Sequence, residues 1–377
     1  MKKVIYMDYA ATTFIKKEVL EEIYPFLTEE YANASSTYSF ATKSKMAVDS
    51  SREKIAKAIN GHRDEIYFTA GGSESDNWAI IGTAFANRDK GNHIITSKIE
   101  HHAILNSCKY LEAKGFKVTY LDVDSKGLIN LKQLENSISE HTILVSIMYA
   151  NNEVGTIQPI QNIGEICKNK NVLFHTDAVQ AVGNIPIDVK GSNIDLLSMA
   201  AHKFYGPKGM GALYIKKGTK IDSFIHGGAQ ERGKRAGTTN VAGIVGMGKA
   251  IEIAMENLVF EFERLSELRD KLIHELLKIK NSNLNGTMGK GRLPGNCNIS
   301  FKNMEGYMLL AILDTYGICA SSGSACSAGS LEPSHVLVAI GLSKEMAKGS
   351  LRLTIGSRTS EEDIKYVVGK VKEAVSR

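Results

Sequence analysis

The chain has 377 residues, of which 43% are apolar and 23% are charged. These proportions are typical of a globular protein, and the length suffices for a large domain and a smaller one. The net charge of +5 is spread along the chain, which excludes a basic nucleic-acid tail. No apolar run approaches the roughly 20 residues that span a bilayer. We therefore expect neither direct DNA binding nor direct membrane association.

The cysteines indicate a reducing compartment. Cys108, Cys167, Cys297, Cys319 and Cys326 are odd in number and irregularly spaced, which disfavours a disulfide framework. The spacing of the last two is not that of a zinc site. The N-terminal segment is too short and too soon acidic for a secretory signal. We expect a cytoplasmic protein with no metal site.

Between about residues 60 and 215, apolar strand-like runs alternate with amphipathic stretches of helix length. Helices are predicted at 74–87 and 102–114. The predicted strands are 66–69, 93–96, 117–121, 143–148, 172–175, 196–199 and 211–215. This alternation predicts an α/β fold with a large, mostly parallel sheet covered by helices. Ligands of such sheets bind beyond the carboxyl ends of the strands.

A second, smaller α/β unit follows. A long helical pattern extends from residue 241 to about residue 280. Beyond it we predict strands at 297–301 and 351–355 and helices at 305–316 and 360–376. We place the boundary near residue 257. The large domain then comprises residues 15–257, and residues 1–14 and 258–377 form the small domain.

Lys203 and Asp177 follow two of the predicted strands, and together they suggest pyridoxal 5'-phosphate (PLP) chemistry. A lysine amine forms a Schiff base with the aldehyde of this cofactor, and a carboxylate keeps its ring nitrogen protonated. A carboxylate at the end of a buried strand is costly unless a cation compensates it. The alternative for Lys203 is an ordinary surface lysine, which the glycine-rich turn at 205–209 disfavours.

The turn Ala70-Gly71-Gly72-Ser73 joins a predicted strand to a helix. Its glycines allow the backbone to approach an anion at the positive end of the helix, and the Ser73 hydroxyl adds a donor. The alternative is an ordinary turn capped by serine. A phosphate site gains support because Lys203 and Asp177 end other strands of the same sheet.

Further polar residues follow strand ends. His101 is able to stack on a ring and move protons, or it merely starts a helix. Asn152 lies in a polar loop after a buried strand, where the alternative to ligand binding is an Asx turn. Gln180 and His202 are close in sequence to Asp177 and Lys203, and both carry donors suited to a cofactor.

Small residues surround Cys326 from residue 321 to residue 330, which predicts a mobile, exposed loop with an accessible thiol. The alternative is a buried, inert cysteine. Arg352, on a late strand, is suited to clamping a carboxylate through two hydrogen bonds or to a structural salt bridge. The glycine-rich, basic stretch 227–239 predicts a loop that meets an anion or a partner subunit.

Taken together, these motifs resemble the cysteine desulfurases of the NifS and IscS type, which belong to the class V aminotransferase group of fold-type I PLP enzymes. The resemblance covers nearly the whole chain, and its most specific part is the Ser-Ser-Gly-Ser-Ala-Cys run that ends at Cys326. The other matching motifs lie at residues 6–13, 68–75, 100–101, 151–155, 177–180, 202–203, 232–238 and 331–334.

The resemblance implies a role for each residue around the cofactor. Lys203 would carry PLP and abstract the Cα proton, Asp177 would pair with the ring nitrogen, and His101 would stack on the ring and act in catalysis. The other cofactor contacts would come from Gly72, Ser73, Asn152, Gln180, His202 and, from the second subunit of a homodimer, Thr238.

It also implies the route of the sulfur. Asn33, Asn152 and Arg352 would bind L-cysteine, and Cys326 would attack its sulfur, leaving a persulfide on Cys326 and releasing L-alanine. The cysteine loop, at about residues 321–334, would then carry the sulfur to an acceptor protein. That acceptor would be a scaffold for iron–sulfur cluster assembly or an enzyme of tRNA or cofactor thiolation.

Three departures from the family pattern bear on these expectations. The run Ala32-Asn33-Ala34 keeps the asparagine but lacks the usual proline and a downstream histidine. Ala200 stands where a phosphate-binding serine is common, which predicts looser PLP binding. The chain also ends at Arg377, short of the C-terminal extension with which some relatives dock their scaffold.

Two other functions stay open on the sequence. One is a different PLP enzyme on the same fold, either a selenocysteine lyase or an aminotransferase. The other is a partner-dependent sulfur-relay subunit that binds PLP but turns over little free cysteine. Loss of persulfide formation in Cys326→Ala distinguishes a desulfurase from an aminotransferase, and turnover with a reductant distinguishes it from a relay subunit.

Overall fold

The computed structural model of the chain describes residues 4–322 and 332–376. Cys326 lies outside the described residues. The strands, in chain order, are β1 Ile5–Tyr6, β2 Ile66–Thr69, β3 His93–Ser97, β4 Lys117–Leu121, β5 Thr142–Ser146, β6 Leu173–Asp177, β7 Leu196–Ala200, β8 Gly211–Ile215, β9 Ser282–Leu284, β10 Asn296–Phe301, β11 Ile318–Cys319 and β12 Ser350–Thr354.

The helices surround these strands. They are α1 Lys17–Ile23, α2 Pro25–Thr28, α3 Thr42–Ala58, α4 Gly72–Asn77, α5 Thr83–Ala86, α6 His102–Glu112, α7 Leu131–Ser137, α8 Ile160–Asn169, α9 Val241–Glu256, α10 Leu258–Leu276, α11 Gly306–Thr315, α12 His335–Ala339, α13 Lys344–Lys348 and α14 Glu361–Val375. None of the described helices is both long and apolar enough to cross a membrane.

The large sheet has the strand order β2-β8-β7-β6-β5-β3-β4. Strand β8 runs antiparallel to β2 and β7, and every other neighbouring pair is parallel. The predicted α/β fold with a large, mostly parallel sheet is confirmed. Because β2, β3, β5, β6 and β7 point the same way, their carboxyl ends meet at one edge, and the turns after them face a common space.

The small sheets lie in the C-terminal part of the chain. Strands β12, β10 and β9 form an antiparallel sheet, and β1 pairs with β11 in parallel, with Ile5 opposite Ile318. Ile5 and Met7 belong to a buried apolar cluster whose other members come from α10 onwards, such as Leu272 and Phe301. The chain therefore starts in the smaller unit before it enters the larger one. The exact domain limits, 15–257 against 1–14 and 258–377, stay a prediction.

Two helix predictions need correction. The long helix expected from residue 241 to about residue 280 is two helices, because α9 ends at Glu256 and α10 begins at Leu258. Asn257 between them turns its side chain back onto the carbonyl of Ile253 at 2.8 Å, which competes with the regular helical hydrogen bonds. The helix expected at 74–87 begins at Gly72, and a π-helical turn at Trp78–Gly82 joins α4 to α5.

Candidate active site

A cavity of about 300 Å³ lies at the common edge of the large sheet. Five of the strands that point to this edge, β2, β3, β5, β6 and β7, contribute residues at or just after their carboxyl ends, and β12 adds a residue from the smaller unit. The sequence-predicted residues that line the cavity are Gly72, Ser73, His101, Asn152, Asp177, Gln180, His202, Lys203 and Arg352. The structure thus brings together side chains from residue 72 to residue 352.

Lys203 and Asp177 are brought together by neighbouring parallel strands. Asp177 ends β6, and Lys203 ends the short 3₁₀ turn that follows β7. The Lys203 Nζ donates to the carbonyls of Ala10 and Ala11, the latter at 2.8 Å. The N-terminal segment therefore holds the lysine amine at the cavity wall, a contact that the sequence did not indicate.

Asp177 is a buried carboxyl group, 6% exposed, whose Oδ1 accepts from the Val179 amide at 2.9 Å. Burial raises its pKa above the ordinary range, and the charges of His101 and Lys203 act in the opposite direction. A cationic group in the cavity would relieve the cost of burying this charge. The prediction that Asp177 ends a buried strand next to the site is confirmed.

The turn before α4 forms a narrow cradle. A Cβ on Gly72 would lie 2.7 Å from the Val179 Cγ2, so any other residue there would require Val179 to shift, and Gly71 has a φ of +153°. Beside Gly72 lies Ser73, and both line a second cleft of about 490 Å³ that continues from the cavity. Lys208 lines this cleft as well. Its sequence signal was its place in the glycine-rich turn that follows Lys203.

His202 lies between the cavity and the cleft. Its Nδ1 is 3.1 Å from the Thr12 hydroxyl, and burial lowers its pKa to about 4, helped by the charges of Lys203 and Lys208. The ring is therefore neutral at physiological pH. A neutral imidazole so placed is able to hydrogen-bond an anion or a phosphate ester in the cradle.

His101 starts a helix and also lies at the cavity, while its stacking on a ring and its proton transfer stay predictions. It is the N-cap of α6, where its Nδ1 accepts from the Ala103 amide at 3.1 Å, and it also lines the cavity. Burial lowers the pKa of His101, while the charge of Asp177 opposes this. Because Nδ1 accepts a hydrogen bond, the neutral ring carries its proton on Nε2.

Arg352 lines the cavity from β12, in the smaller unit. Its Nη2 donates to the Asp8 Oδ1 at 2.8 Å and its Nη1 to the Asn152 carbonyl at 3.3 Å. Its Nε is buried and has no hydrogen-bond partner within residues 4–322 and 332–376. The structure confirms a salt bridge for Arg352 and places the residue at the cavity, while its clamping of a carboxylate stays a prediction. Asp8 was missed, although it lies in one of the matching motifs.

Two predicted residues do not line the cavity. Asn33 is exposed, and its Oδ1 accepts from the Ser35 amide at 3.0 Å in an Asx turn. Thr238 is exposed on the loop at 227–239. That loop is held by Glu231, which pairs with the Arg52 guanidinium at 2.7 Å, and by Arg235, which pairs with Glu74 at 2.8 Å.

Two further buried carboxyl groups lie near the cavity. Asp76 lines it, is 1% exposed, and has a pKa raised well above the ordinary value by burial and by the charge of Asp177. Burial raises the pKa of Glu100 to about 8. The sequence signal for both was their place beside Ser73 and His101. In the part of the chain that the structure describes, no group of three or more His, Cys, Asp or Glu residues is arranged to hold a metal ion.

Comparison with known proteins explains this combination of fold and polar groups. The model of the family "Aminotransferase class-V" matches residues 5–367. The chain belongs to this family. Its cysteine desulfurase relatives include "Cysteine desulfurase IscS" of Clostridium botulinum, 60% identical over 98% of this chain and 93% of the relative. The protein of the same description from Methanosarcina thermophila is 55% identical over 100% of this chain and 93% of its own length.

Solved structures agree with this assignment. A "NifS-like protein" superposes with a TM-score of 0.94 at 40% identity, covering 99% of this chain and 100% of its own. The structure of SspA in complex with cysteine has a TM-score of 0.83 at 39% identity, covering 94% of this chain and 99% of its own. The fold is therefore that of the NifS-like, fold-type I enzymes, as the sequence motifs predicted.

Proposed function

We propose that this protein is an L-cysteine desulfurase that depends on PLP. It removes sulfur from L-cysteine, gives L-alanine, and leaves a persulfide on Cys326. One observation carries the proposal: an amine and a carboxyl group at the sheet edge, Lys203 and Asp177, share a cavity with the guanidinium of Arg352. The 60% identity to curated cysteine desulfurases gives independent support.

The cavity fits PLP at three points. Gly72, Ser73 and His202 form a cradle that a side chain at residue 72 would fill, which suits a phosphate group. The buried Asp177 suits a protonated ring nitrogen. Lys203 supplies the amine for the aldehyde, and His101 lines the same space.

PLP bound there would supply an aldehyde that reacts with amines and a ring that withdraws electrons from the substrate Cα. Lys203, Gln180 and the N-terminal segment form one hydrogen-bonded unit. Gln180 Nε2 donates to the Ala10 carbonyl at 3.0 Å, and Lys203 donates to the same oxygen. This holds the Nζ of Lys203 at the cavity, where the amine in its neutral form removes a proton from Cα.

Arg352 and Asn152 orient the amino acid. Arg352, with its unpartnered Nε, and Asn152 bind the carboxylate of L-cysteine. The thiolate of Cys326 attacks the substrate sulfur, so an S–S bond forms while the C–S bond breaks. The electron pair of that C–S bond stays with the carbon skeleton, which takes up one proton at Cβ, regains one at Cα and leaves as L-alanine.

The remaining roles follow from the family resemblance. Thr238 is exposed on its own chain, which leaves it available to reach the cradle of a second subunit in a homodimer. Asn33 keeps its proposed part in substrate binding on the same basis. The persulfide passes to an acceptor protein, and the free cysteines among the described residues suit a reducing cytoplasm.

The test is a comparison of two cysteine variants in the PLP-loaded protein. Cys326→Ala keeps the PLP absorbance and its change on addition of L-cysteine, but forms no persulfide and releases little L-alanine. Cys319→Ala, which replaces a partly buried thiol seven residues earlier, behaves as the wild type. Undiminished release of L-alanine and sulfide by Cys326→Ala would refute the assignment of the nucleophile.

A further inference from the structure

The two ends of the segment that carries Cys326 are tied to the cavity by specific hydrogen bonds. At the N-terminal end, Ser321 and Arg352 exchange backbone hydrogen bonds in both directions, at 3.1 and 2.7 Å. At the C-terminal end, the Ser334 hydroxyl donates to the Glu153 Oε2 at 2.5 Å. Neither Glu153 nor Ser334 has a part in the reaction as described above.

Hydrogen bonds on both sides hold the backbone of Glu153 in place. The residue is 4% exposed, and its amide donates to the Asn151 Oδ1 at 2.8 Å. Its carbonyl accepts from the Asn296 and Asn298 side-chain amides at 3.2 and 3.0 Å. Since the backbone of Glu153 is held on both sides, its carboxyl group has a defined position from which to bind a neighbouring chain segment.

Ser334 connects this carboxyl group to α12. While it donates to Glu153, its Oγ also accepts from the amides of Val336 and Leu337, at 3.1 and 3.4 Å, as the N-cap of the helix. Val336 and Leu337 are buried against Ile99 and other apolar residues next to the cavity. The chain thus returns to the core at Ser334, immediately after the cysteine segment.

The next residue adds a third tie. His335 donates from Nε2 to the Glu100 carbonyl at 3.0 Å, and its ring centroid is 4.8 Å from that of His102. Both contacts lie on the turn that carries His101. The C-terminal end of the segment is therefore joined to two of the strand-end turns that build the cavity.

These ties involve the residues that bind the substrate carboxylate. Arg352 is the backbone partner of Ser321, Asn152 directly precedes Glu153, and the Arg352 Nη1 donates to the Asn152 carbonyl. The carboxylate-binding pair and both ends of the cysteine segment are thus one hydrogen-bonded assembly. The two ends of the segment that carries Cys326 are therefore fixed relative to the residues that would hold the substrate.

We propose that Glu153 and Ser334 are positioning residues for Cys326. Their hydrogen bond fixes the C-terminal end of the cysteine segment against the residues that hold the substrate. The pair acts on sulfur transfer and leaves cofactor binding and substrate binding intact. This inference rests on the proposed function, because it needs a persulfide on Cys326.

The alternative is that Ser334 only caps a helix, and the chain offers a matched control for it. Ser343 is the N-cap of α13, where its Oγ accepts from the Met346 amide at 3.2 Å. Ser343→Ala therefore removes a helix cap as Ser334→Ala does, without touching Glu153. Ser334→Thr keeps the hydroxyl group and is the conservative variant.

The experiment uses the full chain loaded with PLP, with L-cysteine as substrate and a reductant present. For each variant, kcat and KM for L-alanine, persulfide on Cys326 in a single turnover, the absorbance change on substrate addition and Tm are measured. We expect Ser334→Ala to lower kcat and the single-turnover rate by roughly 10-fold or more. KM and the absorbance change stay as in the wild type, and Ser334→Thr restores most of the rate.

A second measurement tests the pair itself. Glu153→Gln and Ser334→Ala are compared singly and together, by kcat and by the Tm of the cofactor-free protein. We expect the double variant to lose no more of either quantity than Ser334→Ala alone, because both changes act on one hydrogen bond. Fully additive losses would overturn the coupling.

The outcomes separate the two proposals. If the wild type forms neither L-alanine nor a persulfide, the proposed function fails and this inference fails with it. If the wild type turns over but Ser334→Ala has an unchanged kcat, only the positioning role is overturned. The same holds if Ser343→Ala loses as much kcat, or if Ser334→Thr is no better than Ser334→Ala.

Discussion

The two walls of the cavity are built in different ways. The sheet wall, formed by Gly72, Ser73, Asp177, His202 and Lys203, consists of turns that directly follow strands of one sheet. The clamp wall, formed by Asn152 and Arg352 and supported by Asp8, is assembled from three distant parts of the chain by hydrogen bonds of the Arg352 side chain. Strand geometry fixes the first wall, whereas the second depends on each of its polar contacts.

This difference has a physical consequence for substitutions. On the sheet wall, a change of side chain leaves the backbone in place, so we expect the substitution to alter catalysis or cofactor binding. On the clamp wall, removal of one side chain leaves a buried partner without its hydrogen bond, so stability and substrate binding change together. Asp177→Asn, Arg352→Gln and Ala200→Ser, each with a matched control, test this contrast.

The largest effect is expected for Asp177→Asn on the sheet wall. The amide is neutral and cannot hold a protonated ring nitrogen, so kcat falls by roughly 10²–10³-fold. Burial raises the pKa of the Asp177 carboxyl group, so its replacement by an amide should not lower the unfolding free energy of the cofactor-free protein. Steady-state kinetics and thermal unfolding measure the two quantities.

Asp188→Asn is the matched control for this substitution. Asp188 is an exposed carboxyl group whose Oδ1 accepts from the Gly191 amide at 2.9 Å, away from the cavity. Its loss should lower stability slightly and leave kcat unchanged. An Asp177→Asn protein that turns over L-cysteine at the wild-type rate would remove this carboxyl group from the reaction.

On the clamp wall, Arg352→Gln should raise KM for L-cysteine by roughly 10- to 100-fold, the value of a charge-assisted pair of hydrogen bonds. The PLP absorbance stays unchanged, because the Arg352 side chain is hydrogen-bonded to Asp8 and Asn152 and not to the cradle. Tm falls as well, since Asp8 loses its partner at 2.8 Å. Kinetics at saturating PLP, together with thermal unfolding, measure both effects.

Arg269→Gln separates substrate binding from stability. Arg269 is equally buried, at 2% exposed, and donates to the carbonyls of Arg292 and Leu293, both at 3.1 Å. The Arg269→Gln protein should be less stable than the wild type but should have the same KM for L-cysteine. If both arginine variants raise KM to the same extent, the effect of Arg352 is a general loosening of the fold and the clamp wall has no specific role.

The sheet wall and the clamp wall also differ in how far the sequence predicted them. The strands of the large sheet are short apolar runs followed by glycine or polar residues, so their ends were predictable within two residues. Residues such as Asp177 and Lys203 could therefore be placed at one edge from the order of the strands alone. The break at Asn257 was not predictable, because the hydrophobic pattern continues through it.

The clamp wall gave no such signal. Asp8 and Arg352 are 344 residues apart, and their pairing depends on the contact between β1 and the smaller unit. Likewise, nothing in the local pattern around Glu153 indicates that its carboxyl group meets Ser334, 181 residues later. Contacts between distant side chains are set by tertiary packing, which periodicity and turn motifs do not encode.

The buried Glu100, beside the sheet wall, makes stability depend on pH. Burial raises its pKa to about 8, whereas the unfolded chain titrates this group near 4.5. The folded state therefore holds a proton that the unfolded state loses, and this contribution is present below about pH 4.5 and lost as the pH rises through about 8. Glu153 acts in the same direction, with its pKa raised to about 7.

We expect the unfolding free energy of the cofactor-free protein to fall by about 1–3 kcal/mol between pH 5 and pH 9 on account of Glu100. Glu100→Gln has no titratable group at this position, so its unfolding free energy should vary less with pH. Relative to the wild type, the variant should therefore become more stable as the pH rises. Denaturant titrations across this pH range measure the slope. Glu140→Gln, which changes an exposed side chain, should leave the slope as it is, and equal slopes in all three proteins would contradict the assignment to Glu100.

The smallest effect is expected for Ala200→Ser on the sheet wall. Ala200 lines the cavity, and its Cβ is 3.7 Å from the position that a Cβ would take at Gly72, so a serine hydroxyl there faces the cradle. One added hydrogen bond to a charged phosphate should tighten PLP binding by up to about tenfold. Equilibrium titration of the cofactor-free protein with PLP, and with inorganic phosphate, measures the change.

Ala201→Ser is the control, because it places the same hydroxyl in the apolar core one residue later. There it should lower Tm without tightening the binding of either ligand. If Ala200→Ser binds both ligands as the wild type does, the cradle does not hold the phosphate group.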